Sequence, residues 1–157
     1  MATATESTAV PRLIESTLEV FETMVFSTLV PGPVRADAQP PAASVMGAVR
    51  FLGSLSGAVS FYASDDAGCR IAAQLLGIEP QEAGEQMADA VGEITNMIAG
   101  TFRGRMAQAG ETLMITTPTV TRGSDFRAHY FNVTSRTLVP FAMGDHQVFV
   151  ELVLQAA

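Results

Sequence analysis

The chain has 157 residues, enough to bury one core and short of two independent ones. Hydrophobic residues make up 48% and charged residues 16%, a balance that excludes a disordered chain. The formal net charge of -7 argues against nucleic acid or an anionic membrane as partner and favours a basic protein surface.

Residues 1–10 are small and polar and are expected to form a flexible N-terminal tail, with a single domain over 11–157. The opening MATATESTAV lacks a positive segment followed by an apolar one, and no apolar run reaches about 18 residues. Together with the single Cys69, which cannot form an intrachain disulfide, this predicts a reduced, cytoplasmic protein. After Pro11, Ile14, Leu18, Phe21, Val25 and Leu29 recur at helical spacing, while Glu15, Glu19 and Glu22 line another face. The proline-dense stretch 31–41 reads as a surface loop.

MGAVRFLG and GAVSFYAS, on either side of a short glycine-flanked turn, predict a hairpin. Ser64, with Asp65 and Asp66 behind it, caps a helix that runs to Leu76 and closes at Gly77. A longer helix is expected from about Gln81 to Ala109. Its stripe of Met87, Ala90, Val91, Ile94, Ile98 and Phe102 faces a core, and Asp89, Glu93, Asn96, Gly100 and Arg103 face solvent. LMITTPTV, FRAHYFNVTSRTLVPFAM and HQVFVELVL read as three strands. In the last of these, Val148, Val150, Leu152 and Leu154 share one face, and Phe149, Glu151 and Val153 share the other. The order predicts an α+β layer fold, an antiparallel sheet covered by helices.

Most candidate sites fall away on spacing. His129 and His146 are isolated, with no second His or Cys at metal-binding distance in sequence, so no metal site is expected. No G-x-S-x-G pattern supports a hydrolase triad. Asp65 and Asp66 would suit a phosphoacceptor receiver domain, but all nine basic residues are Arg and such a domain needs a lysine; capping by Ser64 accounts for them.

Glu93 and Asn96 are the exception. Asn is a poor interior helix residue, and Gly92, Gly100 and Gly104 cost about 1 kcal/mol each in a helix interior. A solvated face has no reason to keep them. Missing β-carbons let another surface approach, and the i, i+3 spacing sets a carboxylate beside a carboxamide.

With its flanks, Asp89-x-x-x-Glu93-x-x-Asn96, continuing as NMIAG, resembles the signature helix of the CheC/CheX/FliY family of chemotaxis phosphatases. ITTPTVTRGSDF, residues 115–126, resembles the strand and turn that follow this helix in the CheX branch, and the likeness extends over most of the chain from Pro11 onward. The resemblance implies a CheC-like fold with two or three helices, the long one bearing the E-x-x-N motif. It implies a phosphatase for a CheY-type response regulator, in chemotaxis or a related two-component pathway. Glu93 would pair with the regulator's lysine and Asn96 would orient the attacking water, with Asp89, Gly92, Ala99, Gly100 and Arg103 meeting the partner. The chain would need no cofactor of its own, the Mg²⁺ being held by the regulator. In CheC-type relatives the motif occurs twice; here Val25 stands where a second Asn would follow Glu22, so a single site is implied, as in the CheX branch, along with a homodimer joined by sheet pairing. The alternative is a non-catalytic scaffold of the same fold that docks a response regulator or a flagellar switch component.

Overall fold

A computed structural model describes residues 4–39, 41–124, 130 and 132–156. His129, and Asp125 and Phe126 at the end of the second family-like segment, lie outside the described residues. Among the described residues three α-helices pack on one face of an eight-stranded antiparallel sheet; the sequence predicts a helix-covered antiparallel sheet, with a hairpin and three further strands. The helices are α1 (Ala4–Val20), α2 (Asp65–Leu76) and α3 (Met87–Gln108).

Helix α1 begins earlier than Pro11, where the sequence places a flexible tail, and carries the proline in its interior. An internal proline removes one helical hydrogen bond. Ala9 and Leu13, buried on either side of it, anchor the helix to the core against that loss. The buried stripe also includes Ser16 and Thr17, whose hydroxyls donate to the carbonyls of Arg12 (2.7 Å) and Leu13 (2.8 Å) and so enter the core satisfied. A π-helical turn, Phe21–Val25, ends the element, and Phe26 breaks it in the left-handed region at φ 57°.

The proline-dense stretch is not wholly a loop. Strands β1 (Val30–Pro31) and β2 (Arg35–Ala36) pair with the outer edge of β7 (Val133–Met143). Prolines suit such an edge because they offer no N–H to a further strand. The predicted hairpin is present as β3 (Val45–Gly53) and β4 (Ser56–Ala63), with Val49 opposite Val59. LMITTPTV divides into β5 (Leu113–Ile115) and β6 (Thr119–Arg122), both paired with β3. Between them Thr116 uses its hydroxyl as well as its N–H to hold Arg50, and Pro118 follows without a donor. With β8 (His146–Gln155), the strand order is β1-β7-β8-β4-β3-β5.

The main core lies between helices and sheet, where Leu13, Ile71, Ile94 and Ile98 meet Phe61, Phe141 and Val150. Alternation sends a second set, Met46, Tyr62, Leu138 and Phe149, to the opposite face, where the β2–β3 connection lays Ala38 and Ala43 against it. Within this layer the Tyr62 hydroxyl donates to Glu151 (3.1 Å), and Arg136 approaches the same carboxylate at 3.5 Å. The Arg50 and Arg136 guanidinium groups each lie over the Tyr130 ring, at 5.5 and 5.6 Å. Burial raises the Glu151 carboxyl above its ordinary 4.5, outweighing Arg136 and the Tyr62 hydrogen bond, which lower it. Burial first, and then the Glu151 charge, holds the Tyr62 hydroxyl far above its ordinary 10.0.

Candidate functional site

Helix α3 is seated by close approach to the sheet. A β-carbon at Gly47 of β3 would collide with Thr95 Oγ1, so glycine there lets the helix backbone descend onto the strand. Thr95 is fully buried and returns its hydroxyl to the Val91 carbonyl at 2.7 Å. One residue on, Asn96 emerges half-buried at the helix margin, and Glu93 stands exposed one turn earlier. Further along, Phe102 meets Phe51 with ring centroids 5.8 Å apart. The helix is thus fixed on its inner side through Thr95 and Phe102, and this fixes where its outer side points.

The predicted core stripe of Met87, Ala90, Val91, Ile94, Ile98 and Phe102 is buried, and α3 itself is shorter than expected. Its first predicted turn is a separate 3₁₀ turn, Pro80–Glu82, because Pro80 opens a new element and Gly84 breaks continuity with Met87.

Of the predicted site residues, Asp89, Glu93 and Arg103 are exposed, and Asn96 and Gly100 are half-buried on the same side of α3. Among the described residues no side chain forms a hydrogen bond or ion pair with Glu93 or Asn96. A carboxylate and a carboxamide in this state keep their full capacity to accept, and to donate and accept, for an incoming group.

Two predicted partner contacts are corrected. Gly92 is buried, and a β-carbon on it would sit 2.9 Å from Val120 Cγ2, so its missing side chain makes room for β6 rather than for a partner. Ala99 is 1% exposed and belongs to the core cluster. Gly100 and Gly104 differ, since a β-carbon on either meets nothing within 4 Å.

Val25 is 1% exposed at the end of the π-helical turn, so a side chain at that position points into the core. Ser64 caps α2 by accepting from the Ala67 N–H at 3.1 Å, and Asp65 pairs with Arg122 at 3.2 Å, which accounts for the acidic pair structurally. His146 is half-buried at the start of β8, and among the described residues no group of three His, Cys, Asp or Glu could hold a metal ion. Also among them, no helix is long and apolar enough to cross a membrane.

Thr95 and Gly47 were missing from the sequence-derived site although they set its position. The signal was there, since a glycine inside the strand MGAVRFLG marks a place where another backbone comes close.

Comparison with known proteins agrees with this fold. The family model described as chemotaxis phosphatase CheX matches residues 45–142, a span that includes Glu93 and Asn96. The crystal structure of the chemotaxis protein CheX from Desulfovibrio desulfuricans is 25% identical, with a TM-score of 0.84 over 94% of this chain and 99% of that one. CheX from Vibrio vulnificus is 26% identical, with a TM-score of 0.82 over 93% and 98%. The CheX–CheY–BeF3–Mg²⁺ complex from Borrelia burgdorferi is 19% identical and shares the fold, with a TM-score of 0.79 over 94% and 98%. Among curated proteins, none matches.

Proposed function

The chain belongs to the family of the chemotaxis phosphatase CheX, and from that premise we propose that it hydrolyses the aspartyl phosphate of a CheY-type response regulator, in chemotaxis or a related two-component pathway. The observation that carries this is the pairing of an exposed Glu93 with a half-buried, unpartnered Asn96 on one rigidly seated helix face. The Borrelia complex of CheX with CheY, BeF3 and Mg²⁺ supports the choice of partner.

In the proposed reaction the Glu93 carboxylate takes the ion-pair position opposite the regulator's active-site lysine. Asn96 enters beside the phosphoryl group, its carbonyl accepting a hydrogen bond from a water and so aiming the water oxygen at phosphorus. The new P–O bond forms in line with the bond to the aspartyl oxygen, which breaks and returns a carboxylate. The water's proton leaves with the phosphate and the solvent. The regulator's own Mg²⁺ and lysine neutralise the charge, so this chain needs only to position. A tenfold to thousandfold acceleration needs about 1.4 to 4 kcal/mol of barrier lowering, within reach of one oriented amide.

The test follows loss of phosphate from the phosphorylated regulators of the same cell in the presence of Mg²⁺. The full chain should accelerate decay of one of them, and Asn96→Ala should return decay to the unassisted rate. Equal rates with and without the wild-type protein would refute the reading. Binding that survives Asn96→Ala, with phosphate lifetime unaffected by either protein, would instead identify a scaffold.

The active form is a homodimer joined by sheet pairing. The edge proposed to pair is the outer side of β5 and β6, because Pro31 in β1 offers no N–H at the opposite edge and Leu52 and Met114 lie exposed in register beside β5. Equilibrium sedimentation should report a dimer that Met114→Arg dissociates.

A further inference from the structure

Four segments converge where the π-helical turn gives way to β1, and they enclose a cleft of about 370 Å³. Val25, Ala73 and Met143, all buried, give it an apolar floor. Around the floor stand Ser27 and Thr28 from the segment before β1, Arg70 and Gln74 from α2, and His146 from the start of β8. Arg70, Pro80 and His146 also line an adjoining hollow, so the cleft extends between α2 and the 3₁₀ turn. Glu93 and Asn96 line neither space.

Two observations set this cleft apart from an ordinary crease. Among the described residues, none of the side chains of Ser27, Thr28, Arg70, Gln74 and His146 has a hydrogen bond or ion pair. Arg70 is the most informative of them, because Asp66 stands four residues earlier on α2, at the spacing of a helical ion pair, and does not take it. The backbone supplies the second observation. Phe26 ends the π-helical turn at φ 57° and ψ 37°, where glycine is the usual choice, and this reversal carries Ser27 and Thr28 to the cleft. Opposite them, a two-residue turn with Gly144 at φ 58° returns the chain to His146. π-helical turns and left-handed residues with a β-carbon gather at functional sites.

We propose that this cleft binds a small phosphate monoester. All five polar side chains can donate a hydrogen bond and Arg70 adds a full positive charge, which together suit a group with three strong acceptor oxygens. The buried floor takes the apolar body of the ester, a contact that free phosphate cannot make. Asp145 lines the cleft too, and its charge opposes a polyanion, so a single phosphate group rather than a nucleoside triphosphate is the match. Because the cleft shares no residue with the Glu93 and Asn96 face, the inference stands apart from the phosphatase reading.

The experiment titrates the full chain with phenyl phosphate, inorganic phosphate and benzoate at constant ionic strength, reading affinity by calorimetry and location from backbone amide shifts in NMR spectra. Phenyl phosphate should bind with a Kd below about 1 mM and shift the amides of Ser27, Thr28, Gln74 and Gly144. Inorganic phosphate and benzoate should each bind there at least about fivefold more weakly. Arg70→Gln should weaken phenyl phosphate about tenfold and Thr28→Val about threefold, whereas Arg35→Gln, the same loss of charge on β2 and outside the cleft, should change it less than twofold. The amide spectra of the variants also report that each is folded. No shift at the cleft amides with about 10 mM phenyl phosphate, or an affinity that survives both Arg70→Gln and Thr28→Val, would overturn the proposal. Benzoate binding as tightly as phenyl phosphate would overturn the phosphate assignment, and inorganic phosphate binding as tightly would overturn the ester.

Discussion

At Asn96, folding and function ask for different residues. The side chain is half-buried and unpartnered, and Ala is the better helix former by about 0.5 kcal/mol. Asn96→Ala is therefore expected to leave the urea midpoint unchanged or slightly raised while phosphatase activity disappears, a separation that a structural asparagine would not show. Gly47 presents the opposite case. Its substitution by Ala drives a methyl group into Thr95, so unfolding free energy should fall by about 1–3 kcal/mol. Activity should fall with it, because Thr95 precedes Asn96, the residue proposed to aim the water. A smaller loss of stability is expected for Gly92→Ala, where only one methyl of Val120 must yield. Three glycines around one motif read alike in the sequence; their environments divide them into one that packs against β6 and two that stand open. That division depends on which strand passes beneath, which helical periodicity does not report.

For whole elements, the 3.6-residue period was sufficient for the core stripe of α3 though not for its start, and the capping signals bounded α2 at Ser64 and Gly77. Helix α1 was harder to read. The predicted stripe holds at Phe21, Val25 and Leu29, with Ile14 and Leu18 partly buried against the core, but the buried face also includes Ser16 and Thr17, which a pattern of apolar residues leaves out and which only hydroxyl bonds back to the preceding turn make acceptable. The proline rule failed there as well, since tertiary packing outweighed a local cost. The π-helical turn had no signal in the sequence. It buries Val25, so the position three residues after Glu22 faces the core rather than a partner. Helix α3 itself can be strengthened: Gly104→Ala should raise stability by about 1 kcal/mol in thermal or urea melts, since the added methyl meets only solvent.

For the molecule as a whole, the sheet has a helix-covered face that carries the site and a second face organised around a buried carboxylate. Glu151 has a native pKa above its unfolded value, so the folded state holds the proton more tightly. Its contribution is complete below about pH 4.5 and is lost as pH rises through the native pKa. Glu151→Gln should remove that decline, so that the stability of the wild type relative to the variant falls as the pH rises above about 4.5 in urea titrations. On the other face, the exposed Glu93 carboxylate belongs to a chain that has no lysine. Carbodiimide joins a carboxylate to an amine only where the two touch. Apart from the α-amino group, two copies of this chain offer no such amine to each other, so a zero-length adduct through Glu93 would report a foreign lysine, and peptide mapping of that adduct would identify the protein that supplied it.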